Sequence, residues 1–211
     1  MKFGIEVPFG NVRGFHRLAA EAEAAGWDGI FVGDAIWCVD PIVMLTSAAM
    51  VTRRIRLGTM ILPAPILKPW KIASEYAALD NLSEGRVTLG LGAGAVWMGW
   101  RSFPDEKMDK KDRGEMLTET IDILTHLFGG KQFDYDGKHF HLRLTTLDEM
   151  HYPPRPVQQP RIPLWCVGIW PRMKSMRRVL VCDGLIPQRI NDQGELEEVR
   201  PSDLRVMKTY V

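Results

Sequence analysis

Short apolar runs alternate with helical ones from one end of this chain to the other, and that alternation leaves few folds open. "KFGIEV" (2–7) reads as a strand. "VRGFHRLAAEAEAAG" (12–26) reads as a helix, with Phe15, Leu18, Ala19, Ala22 and Ala25 at helical spacing and Gly26 as its stop. "GIFVG" (29–33) is a strand apolar on both faces. "DPIVMLTSAAMVT" (40–52) is a helix opened by Asp40 at the cap and Pro41 in the first turn. Strands at 55–62, 86–92, 162–168 and 184–188 continue the series, with helices at 68–82, 110–128 and 172–181 and a last one from Pro201, with Ser202 or Asp203 near its cap. Strands buried on both faces and separated by helices specify a parallel α/β sheet covered by helices. An open doubly wound sheet and a (β/α) barrel both satisfy that pattern. Two stretches break the rhythm: "FDYDGKHFHL" (133–142), whose Asp-Gly signals a hairpin, and the proline-rich "PPRPVQQPRIP" (153–163). Both fall in an insertion at about 95–160 within a single domain spanning 1–211.

Composition narrows the function classes. The formal net charge is +1, so no basic field calls for nucleic acid. No apolar run approaches the roughly 20 residues that cross a bilayer, and "MKFGIEVPFG" lacks the apolar core of a signal peptide. Cys38, Cys166 and Cys182 are scattered, with no CxxC pair, which argues against a disulfide framework and fits the reducing cytoplasm.

The glycines of "GLGAG" (90–94) follow the fourth strand, and an aromatic, proline-containing loop comes next. A dinucleotide fingerprint needs its glycines after the first strand and opening a helix, and a phosphate loop needs a Lys with Ser or Thr. Neither condition is met. Glycine inside a strand admits another backbone or a flat ligand at close range, and at the carboxyl end of a barrel strand such a ligand lies in an active site. A tight barrel interior without any ligand is the competing explanation.

Several stretches, in this order, resemble one family. They are "MKFGIEVPFG", "AEAAGWDGIFVGD", "DPIVMLTSAAMVTRRIRLGTMILP", "ASEYAALDNLSEGRVTLGLGAG", "YPPRPVQQPRIPLWCVGIWPRMKSMRRVLVCDGLIP" and "PSDLRVMKTYV". The resemblance is to the luciferase-like flavin-dependent monooxygenases and their deazaflavin (coenzyme F420) relatives. It implies a TIM-type (β/α) barrel, here incomplete with six of eight β/α units, the C-terminal units missing and strand edges open on the first and sixth strands. It also implies an oxidoreductase using reduced FMN, or F420 as the alternative, on a small-molecule substrate. A separate flavin reductase, a homodimer, and no nucleic-acid or membrane partner complete the expectation. A non-catalytic, flavin-binding or dimer-forming member of the same fold is the second reading.

The implied cofactor contacts are Asp34, Thr59, Met60, Gly92, Ala93 and Gly94 at strand ends, together with Gly168, Ile169 and Trp170. Thr59 offers a hydroxyl to a ring edge, and Met60 and Ile61 would pack on the ring. The backbone from Gly168 to Pro171, with Arg172 and Lys174 in the following first helical turn, suits a phosphate, while Arg177 and Arg178 read as a solvated outer face. Trp37, Trp97, Trp100 and Phe103 are the expected substrate-pocket aromatics. No catalytic residue is assigned, because the histidine that follows the aspartate of "VGD" in many relatives is Ala35 here.

Other chemistries find less support. His139 and His141 alternate on the hairpin as an exposed face with no carboxylate at ligand spacing beside them; His151 follows, and no metal is expected. Asp105, Glu106, Asp109 and Asp112 read as solvated helix-start charges. No nucleophile motif surrounds Ser47, Ser74 or Ser83, and a phosphate-ester lyase or isomerase lacks a candidate base.

Overall fold

The computed structural model describes residues 1–8, 10–103, 109–147, 152 and 154–211. The alternation resolves into β1 (Gly4–Val7), α1 (Val12–Ala24), β2 (Gly29–Val32), α2 (Pro41–Val51), β3 (Arg56–Pro63), α3 (Pro69–Leu82), β4 (Val87–Gly92) and α4 (Lys110–Gly129). After the hairpin β5 (Asp134–Asp136) and β6 (His141–Arg143) come β7 (Leu164–Trp170), α5 (Met173–Val179), β8 (Gly184–Ile190), β9 (Leu196–Glu197) and α6 (Pro201–Tyr210). The main sheet runs β1-β2-β3-β4-β7-β8-β9. Its first six strands are parallel, and β9 adds antiparallel to β8 through Arg189↔Glu197 and Ile190↔Leu196.

Two expectations change. β8, the sixth parallel strand, is not an open edge, because β9 pairs with it. The last helix takes Arg200 as its cap and Pro201 as its first residue, with Asp203 three places on accepting from the Arg200 N–H at 2.9 Å. The hairpin forms its own two-stranded sheet, and β4 pairs directly with β7 across that excursion.

The sheet curls. β2 and β7 are separated by β3 and β4, which in a flat sheet would hold them about 14 Å apart. Yet Phe31 of β2 stacks on Trp165 of β7 with ring centroids 5.5 Å apart. Small residues make room for Phe31: a side chain on Gly58, its partner on β3, would sit 2.9 Å from the ring and 2.2 Å from the Thr88 carbonyl oxygen. The outer face carries the core, where Ile30, Val32, Leu57, Leu89 and Leu91 pack against Phe15, Leu45, Ile72, Tyr76 and Leu124 of the helices.

Buried polar groups lock the layers. Arg86, just before β4, donates to Ser83 O, Thr52 Oγ1, Ile55 O, Ala49 O and Thr52 O, so a cation satisfies the carbonyl end of α2. Glu23 accepts the N–H groups of Arg53, Arg54 and Ile55 and fixes the turn into β3. Asp80, fully buried on α3, holds Gln158 by its backbone N–H at 3.0 Å and its side-chain amide at 2.7 Å, which pins the proline-rich approach to β7.

Candidate active site

The carboxyl ends of the parallel strands meet around one cavity of about 500 Å³. Pro8 follows β1, Gly33 and Asp34 follow β2, Met60, Ile61 and Pro63 belong to β3, and Gly92 through Ala95 lead out of β4. Val167 and Ile169 of β7 and Ile186, Pro187, Gln188 and Ile190 of β8 form the far wall, with Leu196 of β9 beyond them. Residues of the first and last strands thus line one space, which only a curled sheet permits.

The glycines of β4 and of the loop that follows it have distinct reasons. A Cβ on Gly90 would lie 2.3 Å from the Thr59 carbonyl oxygen, so β3 and β4 approach too closely there for any side chain. A Cβ on Gly92 would point at Ile61 Cδ1, 2.4 Å away, and Val167, on the cavity side. Gly94 has φ +69° and lies against Trp100 and Pro63, a conformation and a space that both exclude larger residues.

Of the expected cofactor contacts, Asp34, Met60, Gly92, Ala93, Gly94 and Ile169 line this cavity. Thr59 does not: it is fully buried, its hydroxyl donates to Gly90 O at 3.0 Å and accepts from Gly90 N–H at 3.2 Å, and so it joins β3 to β4 across a register shift. Gly168 faces outward, where a Cβ would meet Leu185, Met176 and Val179, and its absence lets α5 pack on β7. Trp170 also faces outward, edge-on to Tyr210 of α6 at 6.4 Å, and lines a neighbouring hollow with Arg189 and Glu197. The physical reason is one of period: three successive strand residues cannot share a face, and β7 runs on to Trp170, so Val167 and Ile169 point inward.

The expected phosphate cradle is also revised. α5 begins at Met173, not Pro171. The Ile169 N–H donates to Ser175 Oγ at 3.1 Å, and the Arg172 N–H donates to Ile169 O at 2.7 Å. These donors are therefore engaged within the protein.

Among the expected pocket aromatics, Trp97 and Trp100 line the cavity. Trp37 and Phe103 stack on each other at 5.6 Å outside that lining, with Gly99 at φ +93° beneath the Trp37 ring. The guanidinium of Arg113 on α4 lies 5.3 Å from the Trp100 ring centre and donates to Ala93 O and Gly94 O, so it anchors the base of this loop.

Ionisable groups divide the cavity. Burial, followed by the Asp40 charge, pushes the Asp34 carboxyl up to about 6, and burial raises that of Glu6. Lys110 and Arg172 stand on the lining too. Glu6, Lys110, Val167, Ile186 and Gln188 were absent from the sequence-based candidates. For the last three, the strand-end rule applied with alternation to the fifth and sixth parallel strands was the available signal.

Outside the cavity, His139 corrects the hairpin reading. Its side chain is 1% exposed, and Asp112 and Glu115 of α4 lie beside it, with ligand atoms of the three within 4.8 Å of one another. Lys138 Nζ lies between those carboxylates, at 3.3 Å from Asp112 and 2.7 Å from Glu115. His141 is exposed and faces Asp136 instead. Asp109 caps α4 by accepting from the N–H groups of Lys111 and Asp112. Asp105, Glu106 and His151 lie outside the described residues.

Comparison with known proteins gives this geometry a lineage. The oxygenase component of the flavin-dependent trigonelline monooxygenase of Acinetobacter baylyi is 32% identical over 130 residues, 60% of this chain and 33% of that protein. The chain spans about a third of the length of the curated relatives it matches. Coenzyme F420-dependent tetrahydromethanopterin reductase from Methanopyrus kandleri superposes with a TM-score of 0.78 at 21% identity, covering 99% of this chain and 59% of that one. The oxygenating constituent of 3,6-diketocamphane monooxygenase from Pseudomonas putida, in complex with FMN, gives 0.69 at 21% identity, covering 84% of this chain and 54% of that one. Residues 1–202 match the sequence profile of the luciferase-like monooxygenases, and the chain belongs to that family.

Proposed function

We propose that this chain binds reduced FMN in the strand-end cavity and acts on a small apolar or carbonyl substrate as a flavin-dependent monooxygenase. The observation that carries the reading is the cavity itself: about 500 Å³ at the carboxyl ends of six parallel strands, with an apolar wall broken by a few ionisable groups. The residues present fit a planar ring. Gly92, Ala93 and Gly94 bring little or no side chain to the lining, and Met60, Ile61, Val167 and Ile186 offer it apolar faces. Reduced flavin supplies dioxygen activation, whereas F420 would supply hydride. The protein's own residues position the ligand, and the loop of Trp97, Met98 and Trp100 keeps water from the cavity mouth. Asp34, whose carboxyl burial pushes up to about 6, is the group able to hold or release a proton at the wall.

The wider reading is one domain over 1–211 with an insertion at about 95–160, its six parallel strands serving as β/α units of a barrel. It includes a separate flavin reductase, as fits the two-component character that the Acinetobacter relative's name states. It also includes a homodimer and a reducing cytoplasm, which suits the free thiols Cys38, Cys166 and Cys182. Among the described residues, no helix is long and apolar enough to cross a membrane. F420 is the second reading for the cofactor, supported by the fit of nearly the whole chain to the reductase.

Titration of purified protein with FMN and F420, followed by flavin fluorescence and absorbance, tests the proposal. Quenching of FMN at micromolar concentration is expected, and Gly92→Val should abolish it. No response to either cofactor would overturn the reading. FMN binding without substrate turnover in the presence of a flavin reductase would favour the non-catalytic alternative.

A further inference from the structure

We propose that Cys166 and Cys182 form an oxidation-sensitive dithiol, which a peroxide converts to a disulfide joining β7 to the turn before β8. Val167 and Ile169 point into the cavity, so alternation turns Cys166 to the opposite face of β7. Its side chain is fully buried in the core beneath the helices. Cys182 is half-buried and packs against that same core from the irregular turn at 180–183. The turn is tied to β7: the Asp183 N–H donates to Leu164 O at 2.7 Å, and the Asp183 carboxylate accepts from the Leu164 N–H at 2.8 Å. The two thiols thereby come within hydrogen-bonding reach of each other. Cys182, in a turn instead of a ladder, is the partner able to close to bonding distance. The pair lies on the far side of the strand from the cavity, so it stands whatever ligand the cavity takes.

A cation faces both sulfurs. Arg178 of α5, expected on a solvated face, is half-buried against α4: its Nε donates to Thr118 Oγ1 at 3.1 Å, and a Cβ on Gly114 would lie 3.0 Å from its Nη2. Among the described residues it pairs with no carboxylate, and the acids facing it are the two thiols. Arg161 and Asp183 also face Cys182, but they pair with each other at 2.9 Å. The Cys182 hydrogen bond holds the Cys166 thiol below its ordinary range against its burial, and Arg178 adds to the lowering. The Cys182 thiol is raised, first by the bond to Cys166 and then by burial, so the pair gives up its first proton readily and keeps the second. The Cys166 thiolate takes one oxygen of hydrogen peroxide as the O–O bond breaks, and the departing hydroxide takes up the proton that Cys166 released. The Cys182 sulfur then attacks the sulfenic acid, and the hydroxyl leaves with the Cys182 proton as water. Two thiols and one peroxide thus yield one disulfide and two waters. The bond joins β7 to the turn that feeds β8, the two strands of the far cavity wall.

The reduced chain, free of flavin, is treated with hydrogen peroxide, and its thiols are then counted under denaturing conditions. The count is expected to fall from three to one, the mass by about 2 Da, and peptide mapping to join Cys166 to Cys182, with dithiothreitol restoring all three thiols. Cys38→Ser should form the same bond, and Cys182→Ser should form none. Arg178→Met should slow the reaction about fivefold or more at neutral pH, with Arg178→Lys within about twofold of wild type. Three thiols persisting at a peroxide concentration that oxidises glutathione would overturn the proposal, as would oxidation of Cys38 ahead of the pair. A wild-type rate in Arg178→Met with an unchanged circular dichroism spectrum would overturn the cationic activation. The cofactor is absent throughout, so a failed titration with FMN and a failed oxidation are separate results.

Discussion

Gly90 and Gly92 stand two residues apart on β4 and answer to different neighbours. The first meets rigid backbone, the Thr59 carbonyl oxygen; the second meets the tip of the Ile61 side chain, which can rotate. Gly90→Ala should therefore cost about 2–3 kcal/mol, as overpacking at an unyielding contact does, while Gly92→Ala costs less than about 1 kcal/mol and acts on ligand affinity instead. Urea unfolding read beside an FMN titration separates the two, and equal stability losses would contradict the assignment. Asp34 carries a pH signature. Its folded carboxyl titrates near 6 against an ordinary 3.8, because burial and then Asp40 disfavour its charge. The native state thus holds a proton that the unfolded chain has released. This residue's contribution falls as pH rises from about 4 to 6 and then stays low. Asp34→Asn should be more stable than wild type by about 1–2 kcal/mol at pH 8 and lose that advantage by about pH 4, in unfolding curves taken at both ends. An advantage independent of pH would contradict the burial argument.

At the scale of elements, Arg86 is the joint with most to lose. Arg86→Met leaves the buried carbonyls of Ala49, Thr52 and Ile55 without their donor and should cost about 2–4 kcal/mol. A loss under about 0.5 kcal/mol in denaturant unfolding would show that water replaces it freely. The elements themselves were legible in the sequence because their signals are local. Asp40 and Pro41 open α2 where expected, the first four parallel strands fall within two residues of their expected bounds, and the Asp-Gly hairpin forms. Unread were features that depend on distant partners. β9 is a two-residue strand with no periodicity to betray it, and it exists because β8 offers an edge. His139 looked exposed in the hairpin and is buried because α4 lies across it. In the site, Gly92 to Gly94 and Met60 were legible from strand ends, whereas Lys110 was hidden in the long excursion between β4 and β7.

For the whole molecule, curvature brings six strand ends to one place and leaves the outer helices to meet the surroundings. α2 is apolar nearly all round, and Val43 and Met50, two turns apart on one face, are 51% and 60% exposed. That stripe supports the proposed homodimer, since a helix without a polar face is ordinarily covered. Met50→Glu should shift the protein to monomer in sedimentation at micromolar concentration while FMN affinity changes less than about threefold. An unchanged dimer would move the interface elsewhere.

The stacked rings of Phe31 and Trp165 come two residues before Gly33 and Val167, which line the cavity on opposite sides of the curl. The spacing of those two walls is thus set by the thickness of a ring pair that no ligand touches, and a smaller residue at either ring would let the walls draw together.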